Sequence, residues 1–405
     1  MQRPNVDANG GAGTWDDKEY GLSTDVVHGT VVPDAATGAI LTPIFQSTTF
    51  VQDSVDQYLA KGYSYSRTGN PTVRALEHKV AFLEKGAGAA CFSTGMAATV
   101  SVMTGFLKQG DHCVLTNVSY GGTNRVTRKM FQDLGISFSY VDFTDPANVE
   151  AAIQDNTKLV FSETPSNPLM TLTDLQAVSD ICKSKGVLHV CDATFATPII
   201  MRPLDFGCDL AIQSLTKFYD GHNMTVGGAV ISSTPELDER VHFMQNMHGN
   251  IMAPQTAFLV LQTLKTMEVR VLRQSATAAK VAEFLEKHPK VDVVRYPGLA
   301  SHPQKELADR QHRNGVHGSM LWCELKGGFD AGKGLMDTVQ RPWSLCENLG
   351  SCESNLTHAA SMTHGNVARE ERLSVGLTDG LVRLSIGLED PDDLIAALGK
   401  ALDKL

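Results

Sequence analysis

Apolar residues recur along this 405-residue chain with two periods. From residue 72, Val73, Leu76, Val80 and Leu83 return at the spacing of one helix face, and Gly86 ends the run. Short apolar runs of strand length follow. They are Ala89–Phe92, Cys113–Leu115, Ser137–Val141, Leu159–Phe161, Val187–Cys191, Leu210–Gln213 and Gly227–Ile231. Between them, Asn148–Ile153 and Leu175–Lys183 carry helical patterns, and Asp145-Pro146 supplies a start signal for the first. Strands alternating with helices predict an α/β fold with a mostly parallel sheet covered on both faces. Ligands of such sheets bind beyond the carboxyl ends of the strands.

The two ends read differently. Residues 1–60 show no sustained helical period. Val31-Val32 is stopped by Pro33, and Ile40-Leu41 is followed by Pro43, so the segment reads as an extended arm. An arm this apolar must lie on its own domain or on a partner subunit. Its first 21 residues carry several acids and no apolar core, which reads as a flexible tail and neither a secretory signal nor a transit peptide. Near residue 265 the texture changes. Val271–His288 predicts a long helix ended by Pro289, and a second αβ segment runs from Val291 to Leu405. The predicted organisation is an arm over 1–60, a large domain over 61–265 and a smaller α/β domain over 266–405.

Charge and cysteine usage narrow the function. The formal net charge is -10, with 45 acidic against 35 basic residues and no basic block. That argues against nucleic acid or an anionic membrane as partner. No apolar run approaches the ~18 residues of a membrane helix. None of the eight cysteines forms a CxxC pair or sits at zinc-ligand spacing with a histidine. No metal site is therefore expected. The thiols read as small buried hydrophobes in a reducing compartment, taken to be the cytoplasm.

Six polar features carry candidate chemistry, several of them where strands should end. Lys217, in Ser214-Leu215-Thr216-Lys217, is either a solvated surface lysine or an amine able to trap an aldehyde beside an anion held by Ser214 and Thr216. Asp192, after five mostly apolar residues, is a cap, an ion-pair partner, or a carboxylate for a protonated ring nitrogen. Ser93-Thr94-Gly95-Met96 is a strand-to-helix turn, or an anion nest at a helix start. Tyr65 and Arg67, in Tyr63-Ser64-Tyr65-Ser66-Arg67, form a surface turn or hold phosphate. Tyr120, before Gly121-Gly122, is partly buried packing or stacks on a ring. Arg383, inside Leu381-Val382-Arg383-Leu384-Ser385, needs an anion, either a structural carboxylate or that of a substrate. Together these parts suit pyridoxal 5'-phosphate, whose ring can serve as an electron sink at a substrate α-carbon.

The motifs resemble the pyridoxal-phosphate enzymes of cysteine and methionine metabolism, the family of cystathionine γ-synthase, cystathionine γ-lyase and methionine γ-lyase. The likeness runs from about Ser23 to the C-terminus. It is carried by Pro43–Phe50, the YSR-x-x-NPT stretch at Tyr65–Thr72, SETPSNP at Ser162–Pro168, DATFATP at Asp192–Pro198, SLTK with Gly221-His222, SMTH at Ser361–His364 and RLSIGLE at Arg383–Glu389. The resemblance implies the fold of the aspartate aminotransferase type of pyridoxal-phosphate enzymes. It also implies that Lys217 holds the cofactor covalently, Asp192 pairs with its ring nitrogen and Tyr120 stacks on it. Gly95, Met96, Ser214 and Thr216 would bind its phosphate, with Asn167 near the ring. Tyr65 and Arg67 would reach the phosphate of a neighbouring subunit, in a homotetramer built from dimers. Arg383 would take the carboxylate of an amino-acid substrate.

Within the family, Gly122 stands where methionine γ-lyases usually carry Cys. Tyr120–Arg125, together with Glu347 in a Glu-Ser-Leu-Gly-Gly-x-Glu-Ser type of pattern, looks like cystathionine γ-lyase. Arg125 and Glu347 would face the distal, charged end of cystathionine. The expected reaction is γ-elimination of L-cystathionine to L-cysteine, 2-oxobutanoate and ammonia. Lys217 would move protons between carbons, and Tyr120 would act near the sulfur. Cystathionine γ-synthase and methionine γ-lyase remain as alternatives, as does a non-catalytic binding or scaffold protein of the same fold. The pattern's first Ser is Asn348 here and its second Gly is Ser351. Because the family Ser sits beside the catalytic Lys, Asn348 is expected to shift the balance between β- and γ-elimination.

Overall fold

The computed structural model describes residues 20–363, 365 and 368–405. The tail reading of residues 1–19, and His364 of the SMTH motif, lie outside the described residues. Seven strands form the first sheet: β1 (Gly88–Phe92), β2 (His112–Thr116), β3 (Ser137–Val141), β4 (Thr157–Glu163), β5 (Leu188–Asp192), β6 (Leu210–Gln213) and β7 (Gly228–Ser232). Their order is β1-β7-β6-β5-β4-β2-β3. Neighbours from β6 to β3 run parallel, and β7 runs antiparallel to both β6 and β1. The carboxyl ends of β1, β2, β4, β5 and β6 therefore share one edge. Every position of β2, β6 and β7 is buried, which is why these strands read as continuous apolar runs.

Helices cover both faces, and polar side chains set their starts. Asn70 caps Pro71–Glu84, Thr94 caps Gly95–Phe106 and Asp174 caps Leu175–Lys185. The second sheet holds β8 (Val291–Arg295), β9 (Met320–Leu325), β10 (Ser344–Leu345), β11 (Asn355–His358) and β12 (Leu381–Ser385). Its order is β10-β11-β12-β9-β8, antiparallel except for β10 with β11.

One helix joins the two layers. Met267–Lys287 buries Met267 and Val271 in the core of the first sheet, and Ala278, Val281, Ala282 and Leu285 in that of the second. The sequence pattern opens this helix at Val271, four residues late, because its first turn packs on the other core. That first core also takes Met320, Trp322, Leu349, Ala359, Leu377 and Leu381 from the C-terminal third.

The arm is not extended throughout. Leu22–His28 forms a helix held by a tertiary contact. Buried Lys79 donates to the carbonyls of Asp25 (2.6 Å) and Gly29 (2.9 Å), and Val26 packs inward. Seven residues are too few to show a period, so the sequence pattern missed it. Beyond this helix the arm turns outward, with Ile40 74%, Val51 86% and Val55 92% exposed. Among the described residues no helix is long and apolar enough to cross a membrane.

Candidate active site

The shared strand edge collects most of the residues singled out above. Ser214 follows β6, and Lys217 lies one turn further on, half-buried. Its Nζ donates to Asn348 Oδ1 at 2.6 Å. Burial, and then the Arg383 charge, pull the ammonium down to about 8. A lysine so placed loses its proton more readily than a solvated surface lysine.

Asp192 is the last residue of β5, where the pattern ended that strand one residue early. Its Oδ1 accepts the Thr194 N–H at 3.0 Å. Across the ladder its register partner is Glu163, the last residue of β4. Burial raises both carboxyls, and the Asp192 charge raises Glu163 further. Among the described residues no cation pairs with these two neighbouring carboxyls, and a protonated ring nitrogen would supply one.

Glu163 received no role from its sequence. Its Oε2 accepts the Tyr120 N–H at 2.7 Å and its Oε1 accepts the Asn167 N–H at 2.8 Å. One carboxyl thus positions both residues expected near the ring. The available signal was an acid closing an apolar strand, the same signal that marked Asp192. The predicted strand stopped at Phe161, two residues short of it.

The strand-to-helix turn after β1 has the shape of an anion site. Thr94 Oγ1 accepts the Ala97 N–H, and the N–H groups of Gly95 and Met96 have no partner within the helix. A Cβ on Gly95 would stand 3.1 Å from Ser214 Oγ, so the turn and the Ser214 hydroxyl face each other closely. Thr216 Oγ1, two residues beyond Ser214, accepts the Gly227 N–H at 3.0 Å. These donors and hydroxyls fit a phosphate group, and Lys217, Asp192 and the anion turn together fit pyridoxal phosphate.

Arg383 in β12 is 6% exposed. It donates to Asn167 Oδ1 (3.0 Å), the Glu347 carbonyl (2.8 Å) and Thr357 Oγ1 (3.4 Å). Among the described residues it has no carboxylate ion-pair partner. Burial lowers it to about 10. A buried guanidinium with only neutral hydrogen-bond acceptors can still take an anion.

The remaining candidates are placed as follows. Tyr120 opens the short Gly121–Val126 helix and is 48% exposed. Arg125 is on that helix and exposed, and no contact among the described residues joins it to Lys217 or Arg383. Glu347 is exposed, and its charge acts on both Lys217 and Arg383. Tyr65 and Arg67 are exposed on the arm side, with the guanidinium 5.6 Å from the Tyr65 ring centroid. Among the described residues no contact joins that pair to Lys217.

Residues 23–403 match the model of the family described as Cys/Met metabolism PLP-dependent enzyme. The chain belongs to this family. Pyridoxal 5'-phosphate is its cofactor. Curated relatives share the full length. Cystathionine γ-lyase of Bacillus subtilis (strain 168) is 42% identical over 94% of this chain and 99% of its own. Cystathionine β-lyase of Coxiella burnetii is 42% identical over 95% and 98%. A solved structure, cystathionine γ-synthase of Xanthomonas oryzae pv. oryzae with aminoacrylate and cysteine, superposes with a TM-score of 0.91 at 38% identity, covering 96% of this chain and 99% of that one. Three different reactions stand at nearly equal distance, so overall similarity does not choose among them.

Proposed function

We propose that this enzyme cleaves L-cystathionine by γ-elimination, giving L-cysteine, 2-oxobutanoate and ammonia, as a homotetramer in the cytoplasm. The observation that carries the choice is at Gly122. A Cβ there would stand 2.5 Å from Tyr120 Cε1 and 2.7 Å from Met96 Sδ. A Cys there, as is usual in methionine γ-lyases, would require the half-exposed Tyr120 ring and the Met96 side chain to move. Glu347 near Arg383 and Lys217 adds a polar group suited to a substrate with a charged far end, and Arg125 is proposed to reach that end when substrate is bound.

Bound pyridoxal phosphate supplies an electron sink for charge at the substrate α-carbon. In this reading Lys217 anchors it, Asp192 faces its ring nitrogen, and Gly95, Met96, Ser214 and Thr216 take its phosphate. Residues 61–265 then act as the cofactor-binding domain, and 266–405 as a C-terminal domain that contributes Glu347, Asn348 and Arg383. Arg383 holds the substrate α-carboxylate, and Asn167 steadies Arg383. Lys217 as neutral amine removes the α-proton, and Tyr120 serves the departing sulfur. Tyr65 and Arg67 complete the phosphate site of the neighbouring subunit.

A second reading has its own observation. Asn348 touches Lys217, and the group that moves protons influences which C–S bond breaks. β-Cleavage would give pyruvate, homocysteine and ammonia. Incubating the cofactor-loaded enzyme with cystathionine and identifying the keto acid and thiol separates the two. 2-Oxobutanoate with cysteine is the expected outcome. Pyruvate with homocysteine establishes β-cleavage, and no turnover of cystathionine refutes both.

A further inference from the structure

The contact between Lys217 and Asn348 does not end at Asn348. Asn348 Nδ2 donates to Asn223 Oδ1. Asn223 Nδ2 in turn donates to Glu353 Oε2 at 2.9 Å. The three bonds run in one direction, from the Lys217 amine to a surface carboxylate. Each amide offers one acceptor end and one donor end, whereas an ionised carboxylate only accepts. Glu353 therefore sets the polarity of the whole chain. It draws the Asn223 amino group, which turns the Asn223 oxygen to Asn348, which turns the Asn348 oxygen to Lys217.

The loop around Asn223 is built to hold this arrangement. Fully buried Asp220 accepts the N–H groups of His222 (3.1 Å) and Met224 (2.9 Å) and the Thr225 hydroxyl (3.0 Å). Asn223 sits at φ +57°, a left-handed conformation that Asn tolerates better than most residues. The Cys352 N–H donates to the Gly221 carbonyl at 2.8 Å, which ties the Glu353 loop to the Asn223 loop.

We propose that Asn223, oriented by Glu353, is a positioning residue that presents the Asn348 carbonyl oxygen, and not its amino group, to Lys217. The polarity matters chemically. A carbonyl oxygen takes one N–H of the amine and leaves its lone pair free for the cofactor aldehyde or the substrate α-proton. A flipped Asn348 would donate into that lone pair and blunt it. The inference rests on Lys217 as the cofactor's attachment point, and not on which thioether bond is cleaved.

The test uses cofactor-free protein and pyridoxal phosphate. The rate of the absorbance change on reconstitution is followed against pH, and borohydride reduction with peptide mapping locates the modified lysine. Other charges facing Lys217 are Arg383, Glu347 and the Cys346 thiol, and all remain in each variant. Asn223→Gly removes the acceptor while suiting the left-handed backbone. It is expected to lower the midpoint of the pH–rate profile by about one unit, since the ammonium loses an acceptor that favours its charged form. Asn223→Asp keeps an acceptor oxygen towards Asn348 and is expected not to lower it. Glu353→Ala is expected to shift it the same way as Asn223→Gly, by less. An unchanged midpoint in Asn223→Gly, or equal downward shifts in the Gly and Asp variants, overturns the proposal. Modification of a lysine other than Lys217 in the unmutated protein overturns the attachment assignment, and the proposal with it.

Discussion

Asn348 shows how much one side chain can decide. Its Oδ1 sits 2.6 Å from the Lys217 amine. A serine is shorter, and its hydroxyl both donates and accepts, so Asn348→Ser changes both the reach and the polarity of that contact. We expect the ratio of 2-oxobutanoate to pyruvate from cystathionine to change about fivefold, the effect of roughly 1 kcal/mol in the difference between two barriers. Keto-acid quantification checks this, and an unchanged ratio would refute it. Glu163 acts differently. It offers its two oxygens to the backbone of Tyr120 and Asn167, so it shapes the site through its neighbours.

At the scale of elements, the decisive contact is between β7 and the turn after β1. A Cβ on Gly228 would stand 2.4 Å from the Thr94 carbonyl oxygen and 2.7 Å from Gly95 Cα. Both are backbone atoms, so no side chain can swing aside to make room. Gly228→Ala is therefore expected to displace the turn whose N–H groups suit the cofactor phosphate. Titration of the apoprotein with pyridoxal phosphate should show affinity weakened about tenfold, a loss of ~1.4 kcal/mol. Parent-like affinity in a folded variant would show that the turn accommodates the methyl group. The short β6, closed by Gln213, matters for a related reason. It delivers Ser214 opposite Gly95 and leaves Lys217 one turn further along the chain.

For the whole molecule, the arm is the unfinished part. Leu22–His28 is anchored through Lys79, but Val51, Val55 and Tyr58 stand exposed on the same stretch. Tyr65 and Arg67 are also exposed, and among the described residues no contact joins them to their own chain's Lys217. The proposed assembly would place a second copy of the chain over this apolar surface and beside Tyr65 and Arg67. A Val51→Asp, Val55→Asp double variant is expected to sediment as a smaller species and to lose most of its activity with its assembly. A variant that keeps both assembly and activity would remove the arm from the interface.

What the sequence determined by itself was the order of the seven strands of the first sheet, the family and its cofactor. A fully buried parallel strand must be apolar along its length, so β6 could be read to the residue. Polar residues at strand ends are conspicuous against that background, which made Asp192 and Lys217 legible. Tertiary structure decided what depends on distant partners. It held the short Leu22–His28 helix through Lys79 and let one helix serve two cores. It gave Arg383 three neutral hydrogen-bond acceptors and, among the described residues, no carboxylate ion pair. It gave Glu163 its two partners and directed Asn348 through Asn223. Each of these is a pairing between residues far apart in the chain, and local periodicity carries no information about such pairs.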